Sequence, residues 1–140
     1  MTTLAQTIQK MELSSQVSNL HQIEQLIDCI YDKHHITEDN YGNILIALTE
    51  AVNNAIVHGN QQDPNKKVNL VLETSKKDVC FLVKDEGKGF DFDHVPDPTL
   101  PENLHKLHGR GVFLMKSLAD DVAFEENGSL VRLTFSISNT

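Results

Sequence analysis

The sequence predicts an α+β fold, with helices laid on one face of a mixed, mostly antiparallel sheet. Three observations predict it. Apolar residues recur at helical spacing through most of residues 16–58, two strand–turn–strand units follow at 68–83 and 121–137, and a short amphipathic helix pattern lies between those units. The chain has 140 residues, which suits one domain over residues 1–140, and no internal repeat, low-complexity tract or linker composition divides it.

Ile8, Met11 and Leu13 alternate weakly and predict a first strand over about Thr7 to Leu13. Ser14 and Ser15 offer an N-cap, and Leu20, Ile23, Leu26, Ile27 and Ile30 predict a helix from about Gln16 to Lys33. His34-His35 follow, as surface residues at a helix C-terminus, which favours positive charge. Thr37 heads a second helix, but the residue three further on is Asn40 rather than Glu, so the capping box is incomplete. That helix is expected to run to His58 and stop at Gly59, ahead of a polar loop. Val68, Leu70 and Leu72 mark the apolar face of a strand, Ser75-Lys76-Lys77-Asp78 a turn, and the apolar run Val79–Val83 a strand expected to be buried on both faces. Between Asp91 and His108 the pattern fails. Pro96, Pro98 and Pro101 forbid a continuous helix or central strand, and so long a segment reads as a lid or binding loop. Val112, Phe113, Met115, Leu118 and Ala119 predict the short helix, and strands Asp121–Glu125 and Leu130–Ile137 are joined by Glu126-Asn127-Gly128, a hairpin turn signal.

Asp and Glu number 20 against 12 Lys and Arg, and the resulting net charge of −8 excludes binding to a nucleic-acid backbone, which needs a basic face. It does not exclude a nucleotide, because a few backbone N–H groups and one or two cations hold phosphates on an acidic protein. No apolar run approaches the length of a bilayer span, and the N-terminus lacks the basic start and apolar stretch of a secretory leader. Cys29 and Cys80 stand in no metal-ligand spacing and read as small buried hydrophobes, which makes the cytoplasm the expected compartment.

The second helix carries the chemistry. Ile44, Leu48, Ala51, Val52 and Ala55 form its apolar face, while Glu50, Asn54 and His58 recur every fourth residue as a polar stripe. Ile46 and Val57 flank that stripe, so much of it is expected to be covered. A half-covered carboxylate one turn from a carboxamide is a base beside a neutral oxygen ligand, a pair that suits Mg²⁺ and phosphate. Two glycine motifs point the same way. Asp85-x-Gly87-x-Gly89 follows a strand: it is either a simple glycine turn or an acceptor for an exocyclic amine, with room for a flat base to approach. Gly109-x-Gly111 leads into the short helix, whose free N–H groups face whatever the long loop covers. The chain contains neither the dinucleotide-binding nor the P-loop spacing.

The ordered set Glu50-x-x-x-Asn54, Asp85-x-Gly87-x-Gly89, Gly109-x-Gly111 and Gly128-Ser129 resembles the ATP-binding boxes of the GHKL superfamily. The run Glu50-Ala51-Val52-Asn53-Asn54-Ala55-Ile56-Val57-His58-Gly59 is most similar to the bacterial anti-sigma factor serine/threonine kinases, and the likeness covers nearly the whole chain. The resemblance implies a two-layer α/β sandwich of the Bergerat type that binds ATP and Mg²⁺. It implies Glu50 as general base and Asn54 as the Mg²⁺ ligand. Asp85 would bind adenine with Gly87 and Gly89 beside it, Gly109, Arg110 and Gly111 would approach the phosphates, and Ser129 would sit near the base. Gly128-Ser129 stands where Gly-Thr is usual, a mild departure since both hydroxyls bond. The loop residues His105-Lys106-Leu107-His108 match no phosphate contact one by one, and Arg110 either balances γ-phosphate charge or points to solvent. Implied partners are a sigma factor and a STAS-type anti-sigma antagonist, the latter as phosphoryl acceptor; a homodimer is compatible with the resemblance. The competing readings are a nucleotide-gated binding module without kinase activity and a detached sensor-kinase catalytic domain.

Overall fold

Alternating residues build one sheet from β1 (Gln6–Ser14), β2 (Lys67–Thr74), β3 (Asp78–Lys84), β4 (Asp121–Glu125) and β5 (Leu130–Ser136). The structure, a computed structural model, describes residues 6–33, 36–87 and 107–137, with the backbone alone for 6–8, 32–33 and 107–110. The strands lie in the order β1-β2-β3-β5-β4 and every pairing is antiparallel, so the described sheet is not mixed. In β2, β3 and β5 every second residue is buried, and the register sets Phe81 against Leu133 and Val83 against Val131. The Phe81 and Phe135 rings meet edge-on at 6.1 Å.

Three helices cover that face: α1 (His21–Lys33), α2 (Glu38–Asn54) and α3 (Leu107–Leu118). Ile23, Ile27 and Ile30 of α1, Ile44, Leu48 and Val52 of α2, and Val112 and Met115 of α3 close the core against the sheet. At the junction of α1 and α2 the Tyr41 hydroxyl donates to Asp28 Oδ1, which pushes the phenol up to about 12. The far face of the sheet carries Val71, Cys80, Leu82, Arg132 and Thr134, all only half-buried. The expectation that Val79–Val83 is buried on both faces is therefore wrong, because no described layer covers the second face. None of the described helices is long and apolar enough to cross a membrane.

The structure corrects several local expectations. A 3-10 turn, Val17–Leu20, precedes α1, and Gln16 takes the cap position without a side-chain bond. Ser15 is no cap: it is buried and its hydroxyl donates to Lys66 O at 2.8 Å. Cys29 is exposed because it lies off the apolar stripe of α1, and Ile46, opposite the apolar face of α2, is 46% exposed. Thr37 does cap α2, accepting from the Asn40 N–H at 3.2 Å. The helix does not run unchanged to His58. After Asn54 it widens into a π turn, Ala55–Gly59, closed by a 2.8 Å bond from Asn60 N–H to Ala55 O. Such π turns often mark functional positions, and this one lies over the end of β3. His34-His35, Gly89 and most of the proline-rich loop (88–106) lie outside the described residues.

Thr37→Ala removes the one side-chain acceptor at the start of α2 and is expected to cost about 1 kcal/mol of stability, read from the urea midpoint; an unchanged midpoint would count against the cap.

Candidate functional site

The π turn, α2, α3 and strands β3 to β5 line a cavity open to solvent. Ala51, Ala55, Val83, Met115, Phe124 and Val131 form its apolar walls, while Asn54, His58, Gly59, Asp85, Gly128 and Ser129 supply polar atoms. This is the composition of a small-ligand site: flat apolar surface with few polar groups that orient.

Asp85 follows the last residue of β3 and is only 8% exposed. Its N–H donates to Ser129 O at 2.9 Å, and its Oδ1 accepts from Gly87 N–H at 2.7 Å. Burial raises the carboxyl above its ordinary value, against the opposing pull of the Gly87 N–H and the Lys66 charge. Two glycines make room for it. A Cβ on Gly59 would lie 2.3 Å from Asp85 Cγ, and one on Gly87 would lie 2.1 Å from Gly59 O, so space demands glycine at both. On the other flank, Glu126, Asn127 and Gly128 turn with φ of 51°, 60° and 95°. That left-handed turn delivers Gly128 and Ser129 to the cavity wall. The Ser129 hydroxyl donates to Glu126 O at 2.9 Å, which leaves its oxygen able to accept. Partial burial lowers the His58 pKa below its ordinary value.

One helical turn before His58, Asn54 lines the cavity and Glu50 stands half-buried behind it. Both converge on α3. A Cβ on Gly111 would lie 3.1 Å from Glu50 Oε2, 3.2 Å from Asn54 Oδ1 and 3.3 Å from Asn54 Nδ2. Asn54 Nδ2 is buried and has no hydrogen-bond partner among the described residues. A buried donor without an acceptor is uncommon and calls for a ligand, a water or an ion.

Residues 13–135 match the histidine kinase-like ATPase domain. The chain belongs to that family. It is also 28% identical over 113 residues to the serine-protein kinase RsbW of Staphylococcus aureus strains JH9, Newman and JH1, spanning 75% of this chain and 71% of each of theirs. Family membership makes ATP the ligand to test against the cavity. Asp85, Ser129 and the apolar walls suit a base bearing an exocyclic amine, and Asn54 lies a turn away along α2.

A divalent cation also fits. Asn54 Oδ1 is a hard oxygen that would hold it, and the Glu50 carboxylate lies beside it, both close to the same Cβ position on Gly111. Among the described residues no group of three His, Cys, Asp or Glu forms a metal cage. Mg²⁺ is commonly held by one or two protein oxygens together with phosphates and water, so such sparse ligation suits it.

Of the other residues singled out in the sequence, Gly87 packs behind Asp85 rather than in the cavity wall. Gly109 and Arg110 fall in the first turn of α3, which starts at Leu107, ahead of the expected position; the side chain of Arg110 lies outside the described residues. Helix N–H groups in that first turn have no partner within the helix. Gly59 and Asn60 went unread, the first as a helix stop and the second as loop. Only their packing against Asp85 and Glu86 distinguishes them, and no local pattern carries that.

Because the Asp85 pKa is raised on folding, its contribution to stability is full below the unfolded value of about 3.9 and is lost as pH climbs through the folded value. Asp85→Asn is therefore expected to gain stability relative to wild type between acid and neutral pH, while ATP affinity falls and its margin over GTP narrows. Thermal unfolding across that range and calorimetry check the two halves. Asn54→Ala removes a buried donor that has no partner among the described residues, whose burial costs about 1–3 kcal/mol, and adds a better helix former. Its urea midpoint should equal or exceed wild type, while the Mg²⁺-dependent part of ATP binding disappears; a wild type indifferent to Mg²⁺ would refute this.

Proposed function

We propose that the protein is an ATP- and Mg²⁺-dependent serine/threonine kinase of a partner-switching pathway, which binds a sigma factor and phosphorylates a STAS-type anti-sigma antagonist. The observation that carries this reading is the pair Asp85 and Asn54: two polar groups held at a cost in the wall of one cavity, each matched by a part of ATP. Similarity to serine-protein kinases supports a Ser or Thr hydroxyl as acceptor.

In this reading Asp85 accepts from the adenine amine and Ser129 bonds beside it. Asn54 and Glu50 meet the phosphate end, where free N–H groups of α3 complement negative charge. Asn54 would hold Mg²⁺ there, which would supply charge neutralisation for the phosphates. Glu50 takes the proton of the acceptor hydroxyl as its oxygen forms the new bond to the γ-phosphorus; the bridging P–O bond breaks and ADP leaves. General-base assistance contributes roughly 10²–10⁴ in rate, and positioning supplies most of the remainder.

Glu50→Gln keeps volume and hydrogen bonding but cannot accept that proton. It is expected to bind ATP and the antagonist normally while transfer to the antagonist falls at least about a hundredfold, followed with γ-labelled ATP. Equally negligible transfer by wild type and variant, with nucleotide altering only partner affinity, would instead establish the binding-module reading.

A further inference from the structure

Asn60 ties the π turn to the Asp85 turn through a fully buried side chain. Its Nδ2 donates to Ser15 Oγ at 2.8 Å and to Lys67 O at 3.0 Å, and its Oδ1 accepts from Glu86 N–H at 2.7 Å. The neighbours settle the amide's orientation. The Lys67 carbonyl only accepts and the Glu86 amide only donates, so a flipped carboxamide would set like against like at both. The position requires one acceptor and two donors on a short stem. Asp lacks the donors, and an apolar residue would strand the Glu86 N–H and the Lys67 carbonyl.

Glu86 lies between Asp85, which lines the cavity, and Gly87, whose N–H bonds the Asp85 carboxylate. The turn is thus held from two sides. Ser129 O takes the Asp85 N–H just ahead of β5, and Asn60 Oδ1 takes the Glu86 N–H just after the π turn. Tolerances are small, since Gly59 abuts the Asp85 carboxylate and Gly87 abuts the Gly59 carbonyl. Movement of residues 85–87 would therefore carry the carboxylate away from its place opposite Ser129.

We infer that Asn60 is the positioning residue for nucleobase selection: without touching the nucleotide, it fixes the Asp85 carboxylate through the Glu86 N–H, and so favours adenine's amine over guanine's carbonyl. This rests on the adenine-nucleotide reading of the cavity. Ser15 provides the control, because it belongs to the same buried network on the donor side and does not touch Glu86.

The test is calorimetric binding of ATP and GTP to the full chain, alongside unfolding midpoints. Wild type should prefer ATP, and Asn60→Ala should lose about tenfold of that preference. Asn60→Ser, whose single hydroxyl sits on a stem too short to reach Glu86 but keeps one polar group in the buried network, carries the same expectation should the alanine variant not fold. Ser15→Ala should lower the midpoint while keeping the preference within about twofold. An ATP preference unchanged in the Asn60 variants, or lost equally in Ser15→Ala, overturns the inference. A wild type that binds GTP as tightly as ATP removes the adenine reading itself and the inference with it.

Discussion

The Asp85 carboxylate sits at the edge of an apolar core, and much of the surrounding chain is shaped to hold it there. A buried carboxylate keeps its charge only where donors or cations offset lost hydration. Here the offset is partial: one Gly87 N–H and the more distant Lys66, not enough to cancel the effect of burial. Close approach by two backbones then becomes necessary, and Gly59 and Gly87 are the consequence. The π turn is part of the same arrangement, because it carries Gly59 over the end of β3.

Stability and function pull apart in this cavity. An apolar residue in place of Asp85, or a residue without a donor in place of Asn54, would suit these surroundings better by ordinary rules of burial. Polar groups kept at such a cost are expected where a ligand completes them. The left-handed turn at Glu126 and Asn127, two non-glycine residues in a conformation that costs roughly 1–2 kcal/mol each, belongs to the same pattern, since it delivers Ser129 to the wall.

The approach of α3 to α2 links the two ends of the site. Gly111 lets the helix backbone come within reach of Glu50 and Asn54, so the proposed base, the proposed metal ligand and the first turn of α3 share one small volume. The apolar residues Val112 and Met115, three apart on one face of α3, lock that approach into the core. A shift of α3 would therefore be felt both at the phosphate end and at the Met115 wall of the base pocket.

Periodicity alone determined the layers, because burial of alternate residues in strands and of every third or fourth in helices follows from geometry that each segment carries by itself. The strands and the buried face of α2 were legible for that reason, and the Thr37 cap and the Glu126–Gly128 turn from local cap and turn chemistry. Glu50, Asn54, Asp85 and Ser129 were legible as an ordered set of residue types, and three of them line one cavity. What only the tertiary structure decided is whatever depends on two distant segments meeting. The π turn forms where the end of α2 must accommodate Asp85, Ser15 turns from a cap into a partner of Lys66, and Asn60 leaves the apparent loop for the interior. Cys29 and Ile46 ended exposed because no second layer reaches their side of the helices. Such outcomes are set by which surfaces are covered and which buried donors find acceptors, and a segment read alone contains neither.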